Sequence, residues 1–398
     1  MKLVNDIKLK AKTRRHLFAS FIGLALLGLL GTPFIASAAD PIKVGILQPF
    51  SGGLEVMGNQ GANGAELAFK EANEAGGVLG GRMFEIIRAD TKTDPKTAVE
   101  KTNELIRRHK VTAIIGPVTS ANRDAIQPTL ERYKTPLLYA TDYEGDVCSR
   151  YIIGYSALPD HWVKPLIPYV LENYGKKFFL FGSDYVWPQK MNKSISDVAK
   201  ANGGTIVAEE YSPWGVKDYT ATLRKISNSG ADVVVLTVVG ADAVTFVKQF
   251  TAAGMKDKIR IVFFGFSENY IAGLTPAESN GIVTASNFTS SLDKPESKAF
   301  VKKVRMALGE DAIVSNTVDA HYTLAKFFIA AIKRAGSPDK EKIIDSIGDQ
   351  TMMSGNGEVH LRASDRHTDL NVVIAETIDG KLIVKKDIGR VVAANQCK

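Results

Sequence analysis

Hydroxyl, carboxylate and aromatic side chains gather at a few short turns of this sequence, each directly after a run of β-branched or aromatic residues. One turn, Gln48 to Gly58, carries Ser51 and Met57. Another, Gly116 to Asn122, carries Val118, Thr119 and Ser120, and a third, Tyr139 to Gly145, carries Thr141 and Asp142. Further along, Gly182 to Pro188 holds Tyr185 and Trp187, and Val239 to Asp242 holds Gly240. Such a mixture suits enclosure of a small polar ligand. It does not suit bond-breaking chemistry. The chain has no G-x-S-x-G elbow, no H-E-x-x-H, no P-loop and no properly spaced G-x-G-x-x-G. Its glycine cluster, Gly76 to Gly81, runs from helix to strand, whereas a dinucleotide fingerprint runs from strand to helix so that phosphate meets a helix N-terminus. The six histidines are scattered, and Glu209-Glu210 reads as a solvated strand edge. No enzyme, metal or cofactor is expected.

The elements that position these turns alternate. Ile42–Gln48 reads as a strand, 63–74 as a helix stopped by Gly76-Gly77, and 84–89, 112–115 and 136–139 as strands separated by helices at 95–109 and 121–133. After 151–155 the rhythm restarts, with strands at 177–181, 205–209, 233–239 and 260–264 between helices at 162–174, 188–201, 219–228 and 241–253. The last third departs from it: strand 283–287, helices 295–308, 315–335 and 340–347, a hairpin at 355–361, and strands 371–376 and 381–385 joined by Asp379-Gly380. This pattern predicts an α/β protein with two doubly wound, mostly parallel-sheet lobes. Three crossovers near 156–160, 286–290 and 365–370 would join the lobes. The first lobe would comprise 40–158 and 288–367, and the second 159–287 and 368–398. In open sheets of this kind, ligands bind beyond the carboxyl ends of the strands, which is where the turns above fall.

The N-terminus reads as an address. Six basic residues precede an apolar run, Leu17 to Leu30, and Ala36-Ser37-Ala38 then supplies a small-residue cleavage site near Ala38/Ala39. The run is shorter than the roughly 20 residues a membrane-spanning helix needs, so export with cleavage is expected, not an anchor. Thr13-Arg14-Arg15-His16-Leu17-Phe18 also resembles a twin-arginine motif, and no cysteine near the cleavage site could carry a lipid. The mature chain of about 359 residues would be free in a bacterial periplasm, without membrane insertion. Six of the 50 basic and one of the 43 acidic side chains lie in residues 1–39, which leaves 44 against 42 in the remainder. That near-balance gives no reason to expect a nucleic-acid partner. The two cysteines, Cys148 and Cys397, raise the question of a disulfide, on compartment and even count alone. The alternative is a pair of isolated thiols.

From Ile42-Lys43-Val44-Gly45 through Asn73 to Val78 and on to the terminal hairpin, the chain resembles periplasmic solute-binding proteins of the leucine/isoleucine/valine-binding type, receptors of ABC importers. Tyr139 to Gly145 and Gly182 to Pro188 resemble runs of the urea and short-chain amide binders in that family. The resemblance implies ligand contacts from Ser120 at a helix start, from Tyr139 and Thr141 at the next strand end, and from Tyr185 and Trp187 folding over from the second lobe. It places Gly240 and Ser267 at the same cleft, to which the turn after the first strand adds Met57. Val118 replaces an aromatic residue and enlarges the pocket, and Asp142 adds a charge or an acceptor. An acid that would pair with an α-amino group is expected near Ser267, where only Glu268 could serve. Each residue has a plainer role open to it: Ser120 as an N-cap, Thr141 and Asp142 as turn residues, Tyr185 and Trp187 as surface aromatics. The implied function is capture of an amino acid, urea or short amide for an inner-membrane ABC permease. A periplasmic sensor partnering a signalling receptor is the alternative.

Overall fold

Apolar strands that alternate with amphipathic helices must be covered on both faces, and two sheets achieve this in the computed structural model, which describes residues 40–397. The export signal, the twin-arginine motif and the cleavage site lie outside the described residues. The first sheet is built from β1 (Ile42–Gln48), β2 (Phe84–Asp90), β3 (Ala113–Ile115), β4 (Leu137–Tyr139) and β5 (Ile152–Gly154), with α1 (Glu55–Glu74), α2 (Pro95–Asn103) and α3 (Ser120–Arg132) between them. A π-helical turn, Glu104–Arg108, extends α2. All its pairings are parallel, in the order β2-β1-β3-β4-β5.

The chain then enters α4 (Pro159–Asn173), β6 (Lys177–Ser183), α5 (Val186–Ala201), β7 (Thr205–Ser212), α6 (Thr220–Asn228), β8 (Val233–Thr237), α7 (Gly240–Ala252), β9 (Arg260–Phe263), two single-turn helices α8 (Glu268–Ile271) and α9 (Pro276–Ser279), and β10 (Val283–Ser286). The order β7-β6-β8-β9-β10 repeats that of the first sheet, again parallel. Two lobes of one topology result, although no internal repeat shows in the sequence. In each, strand order reverses around the first strand, which opens a crevice at the carboxyl ends of β1 and β3 and of β6 and β8.

Three helices follow, α10 (Pro295–Leu308), α11 (Asn316–Ala335) and α12 (Lys340–Ile347), and four strands, β11 (Gln350–Ser354), β12 (Gly357–Leu361), β13 (Thr368–Ile378) and β14 (Lys381–Val391). Helix α11 packs along α1 on the first lobe. The hairpin β11–β12, placed with the first lobe on sequence, instead hydrogen-bonds through β13 into the second sheet, because His360 and Leu361 pair with Asp369 and Thr368. The first sheet touches this path at Gly154, which pairs with His367 and whose carbonyl accepts the Thr368 hydroxyl.

Helix α1 begins eight residues earlier than its expected start at 63. Glycines at 58, 61 and 64 make the sequence there look like a loop, but they are where α1 meets its neighbours. A Cβ at Gly64 would lie 2.3 Å from the Val318 carbonyl oxygen, and one at Gly61 2.7 Å from His321 Nε2. Close packing against α11 outweighs the poor helix propensity of glycine. Helix α5 likewise starts before its expected first residue, Pro188, which is its third. The first-turn N–H groups have no intrahelical acceptor, so proline is tolerated there. Tyr185, with φ −158° and ψ 177°, precedes the helix as an extended cap.

Candidate functional site: the cleft between the lobes

The first turns of α1, α3, α5, α7 and α11 converge with the ends of β4 and β9 on one cavity. The first lobe lines it with Leu54, Met57, Val118, Ser120, and Ala140 to Asp142, and α11 adds Asn316 and Thr317. The second lobe and α4 line it with Trp162, Tyr185, Trp187, Val239, Phe264, Gly265 and Tyr270. Of the residues expected at the cleft, Met57, Val118, Ser120, Thr141, Asp142, Tyr185 and Trp187 face this cavity.

Tyr139, Gly240 and Ser267 do not line it. Tyr139 is fully buried behind Ser120, where its hydroxyl donates to the Val118 carbonyl at 3.2 Å. The tyrosine ends the three-residue strand β4 and its ring packs behind the cleft against Arg123 and Tyr143, while Thr141, past the end of the strand, reaches the cavity. Ser267 caps α8 in extended conformation and is buried, with an unpartnered hydroxyl. Its neighbour Glu268 is also turned away, accepting from the Thr289 hydroxyl at 2.8 Å and from the Ser290 amide at 2.6 Å. That removes it as the partner of an α-amino group.

Gly240 has a different task. It adopts φ +66°, and a Cβ there would lie 2.5 Å from the Gly53 carbonyl oxygen and 2.7 Å from Leu54 Cδ2. The two lobes approach each other at this point, where only a residue without a side chain fits. Gly240→Ala is therefore expected to leave each lobe folded but to hold them apart, lowering ligand affinity at least about tenfold, a cost of about 1.4 kcal/mol, by isothermal calorimetry.

A buried polar network supports the floor. Ser120 Oγ donates to Glu144 Oε2 at 2.7 Å, and Arg123 Nη2 donates to Glu144 Oε1 at 3.0 Å, with both charged side chains shut off from solvent. The Arg123 guanidinium lies over the rings of Tyr139 and Tyr143, 5.2 and 4.6 Å from their centroids. Burial works against its charge, but the neighbouring Tyr139, Glu144 and Asp124 keep it above the usual arginine value. Tyr143 in turn hydrogen-bonds His367 Nε2, whose other ring nitrogen meets the Asp365 carbonyl. Asp142 accepts from the Ala157 amide at 2.6 Å and from Asn316 Nδ2 at 3.2 Å. Burial raises its carboxyl to about 7, against the pull of the Ala157 hydrogen bond.

Several cavity groups keep unused capacity. The indole N–H groups of Trp162 and Trp187 and the Asn316 side-chain oxygen are buried without partners. The Gly240 amide donates to Tyr270 Oη at 3.2 Å, which leaves the phenolic hydrogen free. Burial raises the Tyr185 phenol well above, and the Tyr270 phenol to about 12, so both stay protonated. Trp162, Tyr270, Asn316 and Thr317 were not foreseen. They stand in the first turns of α4, α8 and α11, and nothing local in the sequence says that those helices start at this cleft.

The chain belongs to the periplasmic binding protein family, whose model matches residues 41–381. It is 23% identical over 365 residues to a Leu/Ile/Val-binding protein homolog of Brucella melitensis, covering 89% of this chain and 92% of that one. Among solved structures, a solute-binding protein of an ABC transporter from R. palustris, in complex with benzoate, superimposes with TM-score 0.82 at 22% identity, covering 89% of this chain and 98% of that one. The branched-chain amino acid transporter substrate-binding protein of Streptococcus pneumoniae, in complex with isoleucine, gives TM-score 0.78 at 25% identity over 88% and 99%. The chain is thus an ABC-type solute-binding protein built on the type I periplasmic binding fold. Among the described residues no helix is long and apolar enough to cross a membrane.

Proposed function

We propose that this protein captures a small neutral amide or urea between its lobes in the periplasm and delivers it to an inner-membrane ABC permease, with no chemical step. The observation that carries this reading is how the cavity divides. Free donors (the indoles of Trp162 and Trp187, the Tyr270 hydroxyl) come from α4 and the second lobe, and the free Asn316 oxygen comes from the side of the first. An amide or urea offers the matching pair, a carbonyl acceptor and N–H donors, without a net charge. No lysine or arginine lines the cavity to neutralise a carboxylate. Aromatic rings supply the rest of the enclosure at little rotamer cost. Contact with both lobes would favour their closed arrangement. A second reading, an amino acid, is favoured by Asp142, which could pair with an ammonium group.

Calorimetric titration with urea, formamide, acetamide and propionamide, alongside neutral amino acids, tests the proposal. Saturable binding of an amide or urea is expected, and binding of amino acids alone would replace it by the second reading.

A ligand N–H group favours ionised Asp142. Affinity should then fall as pH drops below 7, by at most about tenfold per unit, and Asp142→Asn should flatten the profile. The sign for stability is opposite. A carboxyl held at about 7 in the fold, against about 3.9 in the unfolded chain, destabilises once it must ionise. That cost is absent below pH 4 and complete above pH 7. Thermal melts of the ligand-free Asp142→Asn variant should match the parent at pH 4 and exceed it at pH 8.

A further inference from the structure

The Ser120 and Thr141 hydroxyls on the first-lobe side of the cavity have their hydrogens already committed. The Ser120 hydroxyl donates to Glu144 and the Thr141 hydroxyl donates to the Pro117 carbonyl at 3.3 Å, while the Asn316 amide spends one of its two hydrogens on Asp142. A backbone carbonyl and an ion-paired carboxylate only accept, so none of these hydrogens can be lent to a ligand. At pH 8, where Asp142 is ionised, the Asn316 orientation is set as well, since turning the amide would set its oxygen against the carboxylate. On this side, therefore, lone pairs face the cavity. Two donors are the exceptions: the second Asn316 amide hydrogen, and the Thr317 hydroxyl, which accepts from Asn269 Nδ2 at 3.1 Å and keeps its hydrogen.

Resting on the amide reading above, we propose that the buried Glu144–Arg123 pair sets this polarity: by holding the Ser120 hydrogen, Glu144 makes the first-lobe wall an acceptor surface that selects N–H-bearing ligands and rejects isosteric carboxylates. Glu144 is thus a positioning residue. It stands against the first turn of α3, where helix amides would otherwise draw an anion, and its own carboxylate takes that role. Arg123 holds it in place from its other oxygen. A ligand carboxylate brought to this wall would meet the lone pairs of Ser120, Thr141 and Asn316 and the carboxyl of Asp142. A carboxamide of the same shape would meet the same atoms with hydrogens.

The test is a set of matched pairs, acetamide against acetate and benzamide against benzoate, titrated calorimetrically into the whole protein at pH 8. The carboxamide should bind about ten- to hundredfold more tightly in each pair that binds, the penalty of burying unmatched acceptors. A carboxylate that binds as tightly as its amide overturns the proposal and leaves the amide reading standing. If neither urea nor any carboxamide binds, both fall together. The double variant R123M/E144M removes both buried charges at once and frees the Ser120 hydrogen. Its preference for amide over carboxylate should shrink to within about threefold. A folded double variant with the full parental preference would overturn the role of Glu144. A purely structural role would change both members of a pair alike and leave their ratio unmoved.

Discussion

Replacing Arg123 with methionine, with Glu144 left in place, is expected to lower the unfolding free energy by about 3–5 kcal/mol. The two side chains are 1% and 0% exposed, so neither charge can turn to water when its partner is lost. The removed guanidinium also gives up its stacking over Tyr139 and Tyr143. The Glu144 carboxylate would keep only the Ser120 hydroxyl as a side-chain donor. Substituting both members, R123M/E144M, should recover most of the loss, since exchanging a buried pair for apolar side chains of similar volume is often close to neutral. Differential scanning calorimetry at pH 7 is the measurement of choice, because urea and guanidinium resemble the ligand class proposed. Equal destabilisation in the single and double variants would mean that the pair contributes through packing rather than charge.

The second large effect concerns the bond between Cys148 and Cys397, whose Cα atoms are 4.8 Å apart across 249 residues of sequence. A loop of that length gives about 4–5 kcal/mol in the chain-entropy model, less where the unfolded chain keeps structure. The bridge does not act alone. The Ala394 amide donates to Asp160 at 2.6 Å, the Gln396 amide to Asp365 at 2.9 Å, and the Asp146 amide to the Gln396 side chain at 2.8 Å. These contacts tie the tail to the loop after β4 and to the start of α4. The variant C148S/C397S is expected to keep the fold and melt several degrees lower, with the same shift on reduction of the parent. An unchanged melting temperature would show that the hydrogen bonds alone hold the tail.

The sequence was most legible where structure is local. Runs such as Val233 to Thr237 and Phe178 to Phe181 can only be buried strands, and their alternation with helices is enough for the doubly wound lobes. The turns after β1, β3, β4 and β6 could be read as one site because parallel sheets put all their carboxyl ends on one side. Reading failed where the fold brings distant segments together. Asn316 and Thr317 lie 174 or more residues from Asp142 and reach the cavity because α11 packs on α1, through glycines that look like loop formers. Tyr139 was misplaced because its ring is taken up by Arg123 and Tyr143, a packing that nothing local in the sequence announces. The Glu144–Arg123 pair was missed because neither residue carries a motif. Only a buried partner gives either of them meaning.

The span of the disulfide also sets an order of events in the life of the chain. Cys397 is made 249 residues after Cys148, a lag of roughly 10–50 s at bacterial synthesis rates. By then every strand of the first sheet and most of the second has left the ribosome. Once closed, the link is a latch against unravelling of the C-terminal tail, where proteases work on whatever end comes loose.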